Sequence, residues 1–395
     1  MYEVRLQDRD LNILGYLWPL EEGIQPLTLW WDRRWRSAGQ FELVIPIQTP
    51  HLDDLITLAN YIEIRNADDG SFEALYLIER TELLTGIVTY EQNISSHINA
   101  IYAAGQGTGT LRNMVVRTDA DSIIAVGRME AFCDARDVEM TEFDLLRQRA
   151  DAKLAEAEIH GSFIARGGEP VESELLRIRG RSLLLYAERR IVLPPPGTQV
   201  GGIVDITTSE YDEDTDSADE VMKHYINNHL INPGDAARTV LNFVNQGAIP
   251  PLDTVTFQGR FQTVLEVLQE LGKIATAGFE VVLNAASEFE FQVVPRRDRT
   301  IDSSHPVIFR ATDVLLDIPG RAYRTDWDVG DLVTLNVESL SQQLDLTIMQ
   351  TRRELRVGEP EKVTIAFDTP NTDALEQFHD AIVERTRADT RAARV

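Results

Sequence analysis

The sequence has little cysteine and no long hydrophobic run. Cys133 is the one cysteine in 395 residues, so an internal disulfide and a site built from several thiolates are excluded. No apolar run approaches the roughly 20 residues that a membrane-spanning helix needs. The first ten residues carry charges where a secretory signal peptide needs an apolar core. We therefore expect neither export by that route nor stable membrane insertion.

Basic residues are scarce relative to acidic ones. The chain has 38 Lys and Arg against 64 Asp and Glu, a net charge of −26. Nucleic-acid binding needs a basic face that neutralises phosphates, so this composition argues against it. Carboxylates on a protein surface would instead repel the phosphates of a passing DNA duplex, so that the duplex does not bind. Solubility alone would explain the same acidity.

Motifs of the common catalytic and metal sites are also missing. The sequence contains neither a Gly-x-Ser-x-Gly elbow nor a His-Glu-x-x-His pair. The glycine-rich stretch Gly105–Gly109 runs into a strand pattern rather than a helix, so a turn between strands is predicted there instead of a phosphate cradle. We predict no catalytic residue and no cofactor-binding residue, and we expect no cofactor.

The acidic run 209–220 gives no metal site either. Its aspartates begin with the spacing of a calcium loop, but Ser217 and Lys223 stand where that loop needs glycine and glutamate. His224 and His229 are five residues apart on a predicted helix. This spacing predicts that they face different sides, whereas zinc ligands are three or four apart. We predict no metal-binding residue. Residues 217–220 have the pattern of a capping box, which predicts the start of a helix that reaches about Leu230.

Strand patterns dominate the chain. In the stretch from 30 to 46, Phe41, Leu43 and Ile45 alternate with polar or smaller residues, which is typical of a half-buried strand. Three tryptophans and three arginines crowd the preceding turn, so guanidinium groups are predicted to lie over indole rings. Further along, Asp69-Gly70 predicts a hairpin, and a helix with one apolar face is predicted over residues 261–271. The fold class is α+β, mainly β, with barrel or sandwich subdomains and helical additions.

The length predicts two to four domains, and the patterns divide the chain into six segments. They are residues 1–82, an N-terminal β subdomain; 83–165, an inserted module of strands and a helix; 166–206, strands that complete the N-terminal sheet and a proline-rich strut; 207–300, a helix plus an α+β subdomain; 301–368, a C-terminal β subdomain; and 369–395, a C-terminal helix.

Several short blocks, scattered over residues 1–368, carry a resemblance to one family. The first is Trp-x-x-Arg followed by Gly-x-Phe-x-Leu-x-Ile-Pro, which ends at Pro46. The others are Arg179–Leu183 running on to Arg189-Arg190 and Pro194–Pro196, the helix Leu265–Leu271, Pro295–Thr300, Gly105–Gly109, Gly127–Phe132 and Trp327–Val333. Together they resemble the tail proteins of long-tailed phages (siphophages) that are similar to the baseplate hub, or tail-associated-lysin-like protein.

The resemblance implies a structural, non-enzymatic protein of the virion, made in the host cytoplasm and placed at the tail tip. Three copies would form a ring that links the tail tube to host-contact proteins. The implied partners are the distal tail protein, the tape-measure protein and other tail-tip or receptor-binding proteins. DNA would pass through the ring during ejection without specific binding. In such a ring we interpret the acidic run 209–220 as a mobile loop at the lumen or at an interface.

Two alternatives remain open. A tail-associated cell-wall hydrolase would need a pair of carboxylates. The candidates for that pair are Asp119, Asp121, Asp134 and Asp137. A module that binds carbohydrate on the host surface would need exposed aromatic side chains, for which Trp30 and Trp35 are candidates.

The order of the blocks departs from the family. The blocks between Gly105 and Phe132 would ordinarily follow Pro295–Thr300, yet here they come early. If residues 83–165 are left out, the strand pattern at 73–80 runs through Gly167-Gly168 into the strand pattern at 174–179. Two strand patterns joined by a Gly-Gly turn predict a hairpin. We therefore hypothesise that residues 83–165 are a self-contained unit inserted between these paired strands, and that this unit packs beside residues 301–335.

Overall fold

A computed structural model describes residues 2–18, 28–49, 51–84, 88–157, 162–165, 174–311, 316–317, 323–337, 342–356 and 358–368. Within them strands predominate and lie in several sheets, so the expected α+β, mainly β fold is confirmed. The predicted C-terminal helix at 369–395 lies outside the described residues. None of the described helices is both long and apolar enough to cross a bilayer.

The strands are β1 (Tyr2–Gln7), β2 (Ile13–Trp18), β3 (Thr28–Arg34), β4 (Gln40–Pro46), β5 (Tyr61–Asn66), β6 (Phe72–Leu84), β7 (Val88–Asn93), β8 (Ala100–Ala104), β9 (Met114–Thr118), β10 (Glu130–Asp134), β11 (Ser162–Ala165), β12 (Leu175–Ser182), β13 (Gln199–Val200), β14 (Ile203–Val204), β15 (Asp212–Ser217), β16 (Phe243–Asn245), β17 (Thr254–Gly259), β18 (Ala277–Leu283), β19 (Phe289–Pro295), β20 (Asp298–Arg299), β21 (Ile308–Ala311), β22 (Leu316–Asp317), β23 (Leu332–Val337), β24 (Gln342–Arg356) and β25 (Lys362–Phe367). The α-helices are α1 (Leu52–Ile56), α2 (Ala120–Val126), α3 (Phe143–Glu156), α4 (Leu185–Glu188), α5 (Ala218–Ile226) and α6 (Val264–Ile274). Two 3₁₀ turns, Gly109–Leu111 and Ala236–Arg238, and one π turn, Asn227–Ile231, complete the regular structure of the described residues.

One large sheet runs through most of the chain. Its strands follow the order β2-β1-β5-β6-β12-β4-β3-β24-β23-β21-β22, and β7, β11, β20 and β25 pair off this path. A second sheet has the order β10-β8-β9-β14-β13, and smaller sheets join β15 to β17 and β16 to β19 and β18. Helix α3 packs on β8 and β9, and α6 packs on β18.

The short-range predictions of strands and hairpins are confirmed. β3 and β4 pair antiparallel with Trp31 opposite Phe41, and β5 pairs with β6 across the Asp69-Gly70 turn. Alternation places Phe41, Leu43 and Ile45 in the core at 1% exposure or less. The predicted helix on an antiparallel hairpin is present as α6, β18 and β19.

The tryptophan-rich turn after β3 joins different parts of the fold. The Arg36 guanidinium lies 4.0 Å from the centre of the Trp35 ring, as predicted for this turn. The backbone N–H of Trp35 donates to the carbonyl of Met349 in β24, and its carbonyl accepts from the N–H of Phe279 in β18, both at 3.0 Å. The turn therefore connects the large sheet to the α+β unit.

The inserted module is only partly as hypothesised. β6 and β12 do pair antiparallel, from Leu175 opposite Leu84 to Ser182 opposite Tyr76. However, the module is not self-contained, because β7 joins the large sheet and residues 199–204 supply two strands to the second sheet. Among the described residues its ion pairs and hydrogen bonds run to segments such as 189–191 and 238, not to residues 301–335.

The interpretation of the acidic run as a mobile loop is wrong for residues 212–217, whereas the helix predicted to begin near Ser217 is present as α5. Asp212–Ser217 forms β15, which pairs residue by residue with β17, and Ala218 begins helix α5. Asp212 and Ser217 at the two ends of β15 are buried, whereas Glu213 and Asp216 between them are exposed. The proline run is also packed, since Pro194 is buried and the carbonyl of Pro196 lies against Gly234.

We predict that Gly180→Ala lowers the free energy of unfolding by about 1–3 kcal/mol, the usual effect of overpacking a core. A Cβ at Gly180 would lie 1.8 Å from the carbonyl oxygen of Leu77, at the irregularity between β6 and β12. Urea denaturation measures the effect. Gly247→Ala is the control, since a Cβ there meets no atom within 4 Å, and equal effects for the two variants would contradict the prediction.

Candidate functional site

A buried carboxylate, Glu130 at the start of β10, collects hydrogen bonds from separate parts of the chain. Arg238 holds it through two bonds of 2.9 Å each. Arg128 donates a further bond of 2.8 Å, and the backbone N–H of Ile191 donates one of 3.0 Å. The Glu130 side chain is 0% exposed. The carboxylate therefore links the second sheet to residues 191 and 238.

Cations around Glu130 keep it ionised. Burial alone would raise the pKa of Glu130, but the guanidinium groups of Arg238, Arg190 and Arg128 outweigh it and hold the pKa well below its usual range. The hydroxyl of Tyr102 also donates to the carboxylate, at 3.3 Å. We call Tyr102, Arg128, Glu130, Arg190 and Arg238 the Glu130 junction.

Local structure fixes the position of Glu130. Asn99, which is fully buried, accepts from the N–H of Met129 and donates to the carbonyl of Gly127, both at 2.7 Å. These bonds shape the loop before β10, so that Glu130 begins its strand opposite Ala100 of β8. The junction lies beside an apolar cluster that spans the second sheet and residues 191–206.

A second buried carboxylate, Glu79 on β6, has a similar environment. Arg181 of β12 holds it through two bonds of 2.6 and 2.8 Å, and Arg189 donates another of 2.6 Å. Burial would raise the pKa of Glu79, yet these two arginines lower it. This carboxylate ties β6 and β12 to the end of α4.

A third carboxylate, Asp212, lies between two histidines. The Nε2 atoms of His224 and His229 are 2.9 and 2.8 Å from its two oxygens. The prediction that these histidines face different sides is wrong. The reason is the π turn Asn227–Ile231, because its i to i+5 spacing brings His229 back to the side of His224. Within the described part of the chain no group of three or more potential ligands is arranged to hold a metal ion.

The three groups at this site titrate differently. The hydrogen bond to Asp212 raises the pKa of His224. Burial lowers the pKa of His229, which is 2% exposed. Burial would raise the pKa of Asp212, but hydrogen bonds from both histidines hold it well below its usual range. Charge-assisted hydrogen bonds therefore connect the start of β15 to α5 and to the π turn that follows this helix.

The four carboxylates considered for a hydrolase have structural contacts. Asp119 accepts from the backbone N–H of Ser122 and caps α2, and Asp121 lies in the first turn of that helix. Asp134 forms an ion pair with an arginine, and so does Asp137. Among the described contacts none brings two of the four together.

The two candidate aromatic residues for carbohydrate binding are not freely exposed. Trp35 is buried, at 4% exposure. Trp30 is half-buried, and the Arg352 guanidinium lies 3.9 Å from its ring centre. Trp35 therefore lacks the exposed face that such a module would need.

Comparison with known proteins identifies a siphovirus relationship. Residues 168–314 match the family described as Siphovirus ReqiPepy6 Gp37-like protein. The expected resemblance to a siphovirus tail protein family is thereby confirmed. The matched range includes Arg190 and Arg238 of the Glu130 junction. No curated protein matches the chain.

Solved structures of phage tail proteins are also similar to the chain, at low sequence identity. The tail protein from Neisseria meningitidis MC58 has a TM-score of 0.38 and 9% identity, and the match covers 93% of this chain and 96% of that one. The 43 kDa tail protein of prophage MuSo2 from Shewanella oneidensis has a TM-score of 0.41 and 8% identity, with coverages of 94% and 99%. Prophage tail protein gp18 from Listeria monocytogenes EGD-e has a TM-score of 0.40 and 6% identity, with coverages of 96% and 99%.

We predict that Glu130→Gln lowers the free energy of unfolding by about 3–5 kcal/mol, because it leaves buried guanidinium groups without their carboxylate. Urea denaturation at neutral pH measures the change. Asp137→Asn is the matched control, because its ion pair with Arg149 is exposed and exposed pairs contribute about 1 kcal/mol or less. A loss from Glu130→Gln no larger than that of the control would contradict the prediction.

The raised pKa of His224 predicts a pH-dependent effect. Its stabilising contribution is complete below the unfolded pKa of about 6.5 and is lost as pH rises through the higher folded pKa. His224→Gln should therefore destabilise the protein more at about pH 5.5 than at about pH 8.5. The lowered pKa of His229 acts in the opposite direction, but His229 is present in both proteins.

Urea denaturation of the wild type and His224→Gln at both pH values measures this difference. His305→Gln is the control, because His305 is exposed. A destabilisation by His224→Gln that increases toward alkaline pH would show that the assigned charge state is wrong.

Proposed function

We propose that this chain is a structural baseplate-hub protein at the tip of a siphovirus tail, without enzymatic activity. The observation that carries the proposal is the siphovirus family match over residues 168–314. Three copies form a ring that links the tail tube to the proteins that contact the host. The ring binds the distal tail protein and the tape-measure protein, and other tail-tip or receptor-binding proteins attach to it.

The construction of the fold supports a structural role. One sheet includes both β1 and β25, close to the two ends of the described chain. A buried ion pair at Glu79 fixes the end of α4 to this sheet, and another at Glu130 fixes the inserted module to the turn Ala236–Arg238. A rigid connection of this kind suits a part that transmits force between a tail and a host surface.

Exposed apolar residues on sheet edges support assembly. Among the described strands β2 ends the path of the large sheet, and Ile13 and Tyr16 on it are 45% and 51% exposed. β13 ends the second sheet, and Val200 on it is 81% exposed. Unpaired edges with apolar side chains favour contact with another chain. In the proposed ring these edges contact neighbouring protomers.

The net charge of −26 supports passage of DNA through the ring. Carboxylates repel phosphates, so an acidic channel would not retain the duplex. In this proposal DNA crosses the ring during ejection, and the ring opens to release it without reading its sequence.

Immunogold labelling of virions that carry this chain tests the proposed location. We expect gold at one end of the tail only, and quantitative mass spectrometry should give about three copies per tail, the closed ring of a cyclic trimer. An antibody against the main tail-tube protein is the control, because it should label the whole tail. Gold along the whole tail or on the capsid, or dozens of copies per tail, would contradict the proposal.

A further inference from the structure

A pocket of about 450 Å³ lies directly beside the Glu130 junction. Its walls come from distant parts of the chain: Arg9 after β1, Tyr61 at the start of β5, Arg128 before β10, Arg190 after α4, and residues 239–242. A concave pocket of this size with a few convergent polar groups is typical of a small-molecule or side-chain site. The proposed function does not use this pocket.

Two buried arginines line the pocket, and each has one terminal nitrogen that makes no hydrogen bond within the described part of the chain. Arg128 and Arg190 are 6% and 3% exposed. Arg190 uses Nε and Nη1 to bond the backbone carbonyls of residues 238, 128 and 189. Arg128 uses Nε and Nη2 for Glu130 and Tyr102. In the described part of the chain neither Arg190 Nη2 nor Arg128 Nη1 has a hydrogen-bond partner.

Positive charge exceeds negative charge around the pocket. Arg128 and Arg190 line it, with Arg9 at its exposed rim, and Asp10 is the single carboxylate among its lining residues. Burial and the neighbouring cations Arg238 and Arg128 lower the pKa of Arg190 to about 10, although Glu130 acts in the opposite direction. A bound anion would relieve this repulsion. Such a surplus of cations stands out in a chain of net charge −26.

Part of the pocket lining is aromatic, formed by Tyr61, Tyr186 and Phe289. The rings of Tyr61 and Tyr186 lie 5.9 and 6.1 Å from that of Phe289, centre to centre. The two tyrosine hydroxyls bond each other at 2.5 Å, which satisfies both polar ends and leaves apolar ring surface. Leu241 adds an exposed apolar side chain to the lining, at 76% exposure.

We propose that this pocket binds an organic carboxylate with an apolar body, as in the C-terminal residue of a peptide. The carboxylate pairs with the free donors of Arg128 and Arg190, since a guanidinium group matches the planar geometry of a carboxylate. The apolar body packs against Tyr61, Tyr186 and Phe289. The assignment holds wherever in the virion the chain is placed.

Isothermal titration calorimetry of the full chain with N-acetyl-leucine tests the proposal. N-acetyl-leucinamide is the matched control, because it keeps the apolar body and lacks the charge. We expect it to bind at least about tenfold more weakly, the loss typical of a hydrogen bond to a charged group. Inorganic phosphate, which lacks the apolar body, should also bind more weakly than N-acetyl-leucine.

Two variants locate the binding site. Arg190→Met should weaken binding of N-acetyl-leucine by about tenfold or more. Because Arg190 also bonds backbone carbonyls, Arg9→Gln at the exposed rim is the second variant and should weaken binding less, with circular dichroism to check that both fold. Arg136→Gln, at a side chain 72% exposed outside the pocket, should leave the affinity unchanged.

Four results would overturn the proposal. They are an absence of N-acetyl-leucine binding to the wild type, equal binding of the acid and its amide, phosphate binding as tight as that of N-acetyl-leucine, and affinity that neither Arg9→Gln nor a folded Arg190→Met reduces.

Discussion

Compensation of the buried carboxylate Glu130 is the constraint on which the arrangement of this fold depends. A carboxylate removed from water is costly unless cations and hydrogen bonds replace its hydration. Here the replacements come from residues 128, 191 and 238, so the carboxylate is satisfied only when three parts of the chain are in place. Apolar contacts around Tyr102 and Ile191 add stability at the same interface. The polar bonds add directional requirements that apolar packing lacks.

Glu79 and Asp212 show the same principle with different partners. Glu79 uses arginines to hold β6, β12 and the end of α4 together. Asp212 uses two histidines to hold β15 against a π turn. Basic residues are fewer than acidic residues in this chain, 38 against 64. Because several arginines are used internally, the exposed surface is left rich in carboxylates, which suits the proposed passage of DNA.

Local patterns in the sequence were sufficient for much of the fold. Alternation identified β4, the Asp69-Gly70 turn identified the β5–β6 hairpin, and the apolar face at Val264, Leu268 and Leu271 identified α6. Each of these features is determined by residues close together in the chain. The pairing of β6 with β12 was also predicted, although residues 85–174 separate the two strands.

The polar sites could not be predicted, because their members are far apart in sequence. Arg238 and Glu130 are 108 positions apart, and no periodicity connects them. The Arg189-Arg190 pair belongs to one of the sequence blocks that carry the family resemblance. No pattern in the neighbouring residues indicated that these two arginines are buried. His224 and His229 share a carboxylate only because α5 continues into a π turn. The acidic run was taken for a loop because its pairing partner, β17, lies some 40 residues away.

Hydrogen–deuterium exchange of the wild type and Glu130→Gln tests the central claim most directly. If Glu130 links separate segments, the variant should lose amide protection together in β8–β10, around residue 191 and in the turn Ala236–Arg238. The peptides of β18 and β19, which have their own pairing, should keep theirs and serve as the internal reference. Loss of protection confined to β10, or no change at any of the three segments, would contradict the account.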